Sequence, residues 1–438
     1  MSRSPLNVVY LTPGAGGMYC GSCMNDNMLA ATMMQLGHTV TLVPIYTPTM
    51  TDEPNVSIDK LFFGGVNVYL QEKFPPFRFV PRFMDRVLDR PWLVQKLAGS
   101  TVGLEAKQLG AMTLSMVRGE HGHQRKEVRR LVDWLRTQPA PHIVNLSNLL
   151  IAGCLPALRR QLDAAIIVTL QGDDLFLDDL PQPYRGQVMT ELRKLARNVD
   201  RFIAHSQFYA NLMAEFFDVP IERFDIVPLG ISLDGFPAAA TAATNNRPAT
   251  VGYLARICPA KGFHVLVDAF LQIKGRPGFD ATRLAVAGWL GEGDRPFFDE
   301  QMRRIRAAGH ADDVHHAGAL NRAEKIAFLE ALDVFAVPTT YREPKGRFVL
   351  EALASGVPVV VPDHGAFPEI LDRTGGGRLV RPNDAAHLTE VLSELLADSN
   401  VRHELGQAGR KSVHRDATAL RAAEETVDAY RKCLAAQS

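Results

Sequence analysis

Short apolar runs rich in Val and Ile alternate along the chain with longer stretches in which apolar residues recur every three or four positions. That alternation predicts βαβ units and a parallel sheet covered by helices on both faces. Strands are expected at Asn7–Leu11, Thr39–Val43, His142–Leu146, Ala165–Leu170 and Arg201–Ala204 in the first half. In the second half they are expected at Thr250–Leu254, Arg283–Ala287, Val334–Val337 and Val357–Val361. Helix Lys261–Gly275 carries Phe263, Leu266, Val267, Phe270 and Leu271 at the spacing of one buried face.

Both halves start afresh, and between them Pro237–Pro248 is Ala, Thr, Asn and Pro without apolar period. The predicted organisation is a Rossmann-like domain over 1–236, a linker over 237–248, a second Rossmann-like domain over 249–416, and a C-terminal packing helix over 417–438. The length of 438 residues agrees with two domains of roughly 200 residues. Hydrophobic residues at 46% and charged residues at 22% exclude a disordered chain. Basic and acidic residues balance at 48 each, so nucleic acid is not an expected partner and any anion site must be local. The five cysteines are scattered and odd in number, unlike a disulfide framework. With no signal-like N-terminus and no run of about 18 apolar residues, a cytoplasmic placement is expected.

Residues 73–96 break the pattern: six Lys or Arg stand among Phe74, Phe77, Phe79, Phe83 and Trp92. Such a stretch can rest on an anionic membrane or a carbohydrate, or form partly covered core or lid surface. The first alternative would put the chain at the inner membrane surface.

The densest chemistry lies in Glu343-Pro-Lys-Gly-Arg-Phe-Val-Leu-Glu351 and the following Ala-Leu-Ala-Ser-Gly356-Val-Pro358. Pro344 and Gly346 keep Glu343 outside the helix that Arg347 begins, so Glu343 falls on a loop and Glu351 one turn inside the helix. The helix N-terminus is an anion site for a diphosphate. Glu351 could then accept hydrogen bonds from ribose hydroxyls and Glu343 from sugar hydroxyls. Arg256 and Lys261 follow strand Thr250–Leu254, where an open α/β sheet places its ligands, and offer a fork and a point charge to phosphate.

These strings resemble the retaining GT-B glycosyltransferases of family 4. Glu343-x7-Glu351, Gly365-Ala-Phe-Pro368-Glu369-Ile and Gly252-Tyr-Leu-Ala-Arg256-Ile-Cys-Pro-Ala-Lys261-Gly262 match that family's elements in its order, as do Ala331–Pro338 and Val227-Pro-Leu-Gly230. The resemblance implies a GT-B fold, two Rossmann-like domains facing across a cleft, and transfer of a sugar from a nucleotide-diphosphate sugar with retention of anomeric configuration. It implies Arg256, Lys261 and Glu343 as catalytic positions, with Gly16, Gly17, Gln171, Lys345, Gly346, Arg347, Phe348 and Glu351 binding the donor. It also implies that no metal and no cofactor is needed, because cations and the helix N-terminus stabilise the leaving phosphate. The acceptor, whether carbohydrate, lipid or small molecule, is not specified. Rival readings are a GT-B nucleotide-sugar epimerase, a phosphorylase, or a non-catalytic nucleotide-sugar-binding protein.

Departures from the family pattern are Gln171, where a His often contacts the donor sugar, and Lys345, where an aromatic residue is common. Pro13-Gly14-Ala-Gly16-Gly17 after the first strand lets backbone N–H groups approach a ligand closely. Cys20-Gly-Ser-Cys23 lacks the further ligands a zinc site needs, leaving a structural or a thiol role. Asp173-Asp174 offers an alternative metal pair.

Overall fold

The computed structural model describes residues 4–14, 20–63, 106–237 and 247–437. The chain forms two compact units, one of Met1–Pro228 with Ala422–Ser438 and the other of Leu229–Arg421. Each is a Rossmann-like α/β domain built on a parallel sheet.

In the first unit, strands β1 (Asn7–Thr12), β2 (Thr39–Pro44), β3 (Ile143–Leu146), β4 (Ala165–Thr169), β5 (Arg201–Ala204) and β6 (Phe224–Ile226) lie in the order β2-β1-β3-β4-β5-β6. Strands β3 and β4 are buried at every position, as a sheet covered on both faces requires. In the second unit, β7 (Thr250–Leu254), β8 (Arg283–Ala287), β9 (Val314–Gly318), β10 (Val334–Ala336), β11 (Val359–Pro362) and β12 (Gly377–Val380) run β9-β8-β7-β10-β11-β12. This is the doubly wound order, with its reversal point between β7 and β10. In the first unit the corresponding reversal lies between β1 and β3.

Three strands escaped the sequence pattern: β6, β9 and β12. All three lie at sheet edges, where half-exposed positions admit Asp225, His315 and Arg378 and no apolar run develops. The units also divide at Pro228, before the Ala- and Pro-rich stretch, because Leu229, Ile231 and Phe236 are already buried in the second unit's core. Of that stretch, 238–246 lies outside the described residues. Helix Ala419–Gln437 carries the chain back to the first unit at Ala422, where Tyr430 and Cys433 are buried.

The expected helix Lys261–Gly275 begins two residues later, at Phe263, and runs to Lys274. A 3-10 turn, Pro259–Lys261, precedes it, and Gly262 joins the two with φ 73°. A Cβ on Gly262 would stand 1.7 Å from the carbonyl oxygen of Pro338. Both the left-handed backbone and the close approach therefore demand glycine here. Gly262→Ala is expected to destabilise the second unit by about 1–3 kcal/mol, lowering its melting temperature by several degrees in calorimetry while the first unit's transition stays in place.

Candidate functional site

At the reversal point of the second sheet two loops leave the carboxyl ends of adjacent strands. One runs from β7 through Arg256 to Lys261, the other from β10 through Tyr341 and Glu343 to Gly346. They are fastened together by a hydrogen bond from Thr340 N to Ala260 O at 2.9 Å and by the contact of Gly262 with Pro338. Gly346, with φ 63°, turns the second loop into helix Arg347–Ala354 and would clash with Ile370 if it bore a Cβ, 2.9 Å away. No side chain among the described residues caps that helix.

This fastening brings Lys261 onto Glu343. The ammonium lies 2.7 Å from Oε2 and also donates to the Tyr341 hydroxyl, which in turn donates to the same carboxylate oxygen. Gly346 N donates to Oε1 at 3.3 Å. The ammonium is further framed by the rings of Tyr341 and Phe348, with centroids 4.9 and 5.1 Å away. Burial pushes the Glu343 carboxyl up, but the Lys261 charge and the three donors outweigh it and hold the group below the ordinary glutamate value.

Arg256 stands at the exposed rim of the same loop, its guanidinium 3.6 Å from Asp294 Oδ2 and 6.0 Å from the Trp289 ring. Glu351 is buried, and its Oε1 accepts from Lys325 at 2.8 Å and from Arg347 Nε at 3.1 Å. Lys325 carries no motif that marks it in the sequence. It belongs to helix Arg322–Glu330, whose start is marked by the capping box of Asn321 and Glu324, but nothing local points its side chain at Glu351. Arg256, Lys261, Glu343, Lys345, Gly346, Arg347, Phe348 and Glu351 thus gather around the ends of β7 and β10.

The first unit presents a second polar constellation, at the carboxyl ends of β1, β3, β4 and β5. Asp26, fully buried on helix Gly21–Gln35, accepts from Tyr10 at 3.0 Å, Thr12 at 2.7 Å, Ser147 at 2.5 Å and Gln171 Nε2 at 2.8 Å. Gln171 Nε2 also donates to Ser147 Oγ at 3.1 Å, and its Oε1 accepts from Asn25 at 3.2 Å. Both ends of the Gln171 amide are therefore engaged within this cluster, and the residue is 6% exposed. Asn25 and His205 complete it, 3.5 Å apart, with His205 Nδ1 against Val227 O at 2.9 Å. Asp173 Oδ2 accepts from Leu149 N at 2.7 Å, whereas Asp174 accepts from Tyr209 OH at 2.7 Å, so the two carboxylates serve different loop contacts. Gly16, Gly17 and the basic stretch 73–96 lie outside the described residues.

The family model for glycosyl transferases group 1 matches residues 239–412, and that for glycosyltransferase family 4 matches residues 107–234. The second unit carries the group 1 glycosyltransferase domain, and the first the family 4 domain. Among relatives of this chain, a phosphatidyl-myo-inositol mannosyltransferase of Mycobacterium leprae is 32% identical over 43% of this chain and 48% of the relative. A GDP-mannose-dependent alpha-(1-6)-phosphatidylinositol monomannoside mannosyltransferase of Mycobacterium tuberculosis is 29% identical over 51% of this chain and 59% of its own length. These matches span about half the length of the curated relatives. The solved sucrose-phosphate synthase of Thermosynechococcus elongatus shares the fold, with a TM-score of 0.70 at 19% identity over 98% of this chain and all of the other. GT-B architecture, as the resemblance implied, is the fold of this chain.

Because Glu343 is ionised in the fold below its ordinary value, its stabilising contribution is fully present above the ordinary glutamate range. It is lost as pH falls through the depressed folded value. Glu343→Gln should flatten that acid-side decline in chemical denaturation. Lys261→Met leaves a buried carboxylate without its counter-charge and should cost about 3 kcal/mol at neutral pH, the low end for a broken buried pair since Lys261 keeps 19% of its side-chain exposure. The double variant should recover part of that loss.

Proposed function

We propose that this group 1 glycosyltransferase transfers a sugar from a nucleoside diphosphate carrier to a hydroxyl acceptor, with retention at the anomeric carbon and without a divalent ion. The observation that carries the reading is the Lys261 ammonium, held by Glu343 and Tyr341 at the reversal point of the second sheet, with Arg256 on the same loop. Ligands of doubly wound sheets bind outside the strand ends at that point.

In this reading Arg256 and Lys261 take the donor diphosphate, and the N-terminus of helix Arg347–Ala354 adds its oriented N–H groups. Charge that develops on the leaving phosphate is stabilised by groups already in place, which lowers the barrier without reorganisation. Glu343 acts through Lys261, fixing where its ammonium points, and is a positioning residue as well as a candidate contact for sugar hydroxyls. Glu351, steadied by Lys325 and Arg347, faces the nucleoside end. Gln171 reads the sugar only by exchanging a bond of its present cluster for one to a hydroxyl. The names of the mycobacterial relatives favour GDP-mannose among donors and an inositol-bearing lipid or sugar among acceptors. A lipid acceptor would suit a protein that works at a membrane surface.

Thermal shift with UDP, GDP, ADP and TDP tests the diphosphate assignment. The preferred nucleotide at about 100 times its dissociation constant should add roughly 2.7 kcal/mol of stability. Each charge-assisted hydrogen bond contributes about 1.5–3 kcal/mol, so Arg256→Ala or Lys261→Ala should weaken diphosphate binding roughly 10- to 150-fold and affect the bare nucleoside much less. Arg256→Ala is the cleaner probe because the side chain is half exposed and its loss leaves the Glu343 cluster intact. Equal stabilisation of wild type and both variants would remove the assignment. Transfer from the matching nucleotide sugar should also persist in EDTA; loss on chelation with recovery in Mn²⁺ or Mg²⁺ would overturn metal independence.

A further inference from the structure

Two cysteines at the start of helix Gly21–Gln35 take no part in the diphosphate reading. We propose that Cys20 and Cys23 form a reversible dithiol–disulfide couple that exchanges with a small-molecule disulfide such as oxidised glutathione. Cys20 is the residue preceding the helix and is partly exposed, whereas Cys23, one turn in, is completely buried. Three-residue spacing at a helix start keeps the two Cα atoms within the roughly 4.4–6.8 Å that a disulfide spans. The Cys23 thiol is hydrogen-bonded to Cys20, and that bond, together with burial, pushes Cys23 well above the ordinary thiol range. One sulfur is thus open to attack a partner, and the other is kept protonated and in reserve beside it.

The surroundings supply what the exchange requires. The helix N-terminus favours negative charge on a sulfur placed there, as Cys20 is. The Thr12 hydroxyl lies 3.9 Å from Cys23 Sγ and 2.7 Å from Asp26 Oδ2 and can donate to either, so it can turn from the carboxylate to steady negative charge that forms on Cys23. The other three cysteines are all buried, and burial raises Cys154 to about 12 and Cys433 to about 11, so neither competes for an oxidant.

The chemistry balances in two displacements. The Cys20 thiolate attacks one sulfur of the small disulfide, forming a mixed disulfide and releasing one thiolate. Cys23 then attacks Cys20 Sγ and gives its proton to the departing sulfur, so the bond between Cys20 and the small molecule breaks and the second small thiol leaves. The protein loses two hydrogens as its dithiol is oxidised, and the small disulfide is reduced to two thiols. Reduced glutathione runs the sequence backward.

The full-length protein, equilibrated in graded mixtures of reduced and oxidised glutathione, acid-quenched, alkylated and digested, tests this by peptide mass. The expected result is a peptide containing residues 20–23 that loses two hydrogens as the mixture becomes more oxidising and regains them in reduced glutathione. Cys23→Ser should stop at a stable glutathione adduct on Cys20, with Cys23→Ala as the substitute if the serine variant does not fold. Cys20→Ser should form neither species. Thr12→Val removes the hydrogen bond to the Cys23 thiolate and should slow the second displacement roughly 10-fold while leaving the first unchanged. A wild type that stays reduced in oxidised glutathione alone, or that holds a lasting adduct on Cys20, overturns the proposal, and a second displacement untouched by Thr12→Val removes the part assigned to Thr12.

Discussion

The ion pair between Lys261 and Glu343 is the constraint around which the second unit's site is built. Taking an ammonium and a carboxylate out of water costs several kcal/mol apiece, and mutual attraction offsets this only when the remaining lone pairs and protons are also satisfied. The fold meets that condition with a hydroxyl from Tyr341 and an N–H from Gly346. Two glycines make it geometrically possible. Gly262 lets the β7 loop lie on the β10 loop, and Gly346 ends the carboxylate's loop where a helix can start. A charge held this firmly loses little entropy when a ligand arrives, which is the condition for electrostatic stabilisation of a transferred group.

Much of this was legible in the sequence because it is local. Pro344 and Gly346 fix the helix start at Arg347, and the period of Phe263, Leu266, Val267 and Phe270 marks a helix whose face is buried. What escaped is set by contacts between segments distant in sequence. Lys325 reaches Glu351 across 26 residues, and Gln171 reaches Asp26 across 145. Neither is encoded by spacing. The edge strands escaped for a different reason, since half-exposed strands need no apolar pattern. Leu229, Ile231 and Phe236 show the limit of composition as a boundary signal: three apolar residues anchor a segment to the second core just ahead of a stretch with no apolar period.

The first unit solves a related problem at its own sheet reversal with a single carboxylate. Asp26 is fully buried and carries four hydrogen bonds, from two residues of β1, one just beyond β3 and one just beyond β4. A neutral core would be cheaper to bury. The polar choice ties helix Gly21–Gln35 to three strands at once, with one register that satisfies every donor. Tyr430, on the helix that carries the chain back into this unit, is buried and feels the Asp26 charge. The returning helix thereby belongs to the same compact unit as the buried carboxylate.

Charge bookkeeping explains how two glutamates can stand beside a proposed phosphate site. Alone, Glu343 and Glu351 would repel a diphosphate. Each is instead neutralised by a basic side chain drawn from another segment, Glu343 by Lys261 and Glu351 by Lys325 together with Arg347 from its own helix. Arg256 has Asp294 at 3.6 Å, but its half-exposed guanidinium is screened by water and can turn toward an anion with little loss. The carboxylates therefore set direction, holding Lys261 and Arg347 in fixed poses, while Arg256 supplies the adaptable charge. A spacing of eight residues serves this division: one carboxylate sits before the helix and acts on the loop cation, and the other sits one turn inside and fixes the cation that begins the helix. Shifting Glu351 by one residue would turn its side chain by about 100° around the helix, away from Lys325 and Arg347, and strand a charge in the interior.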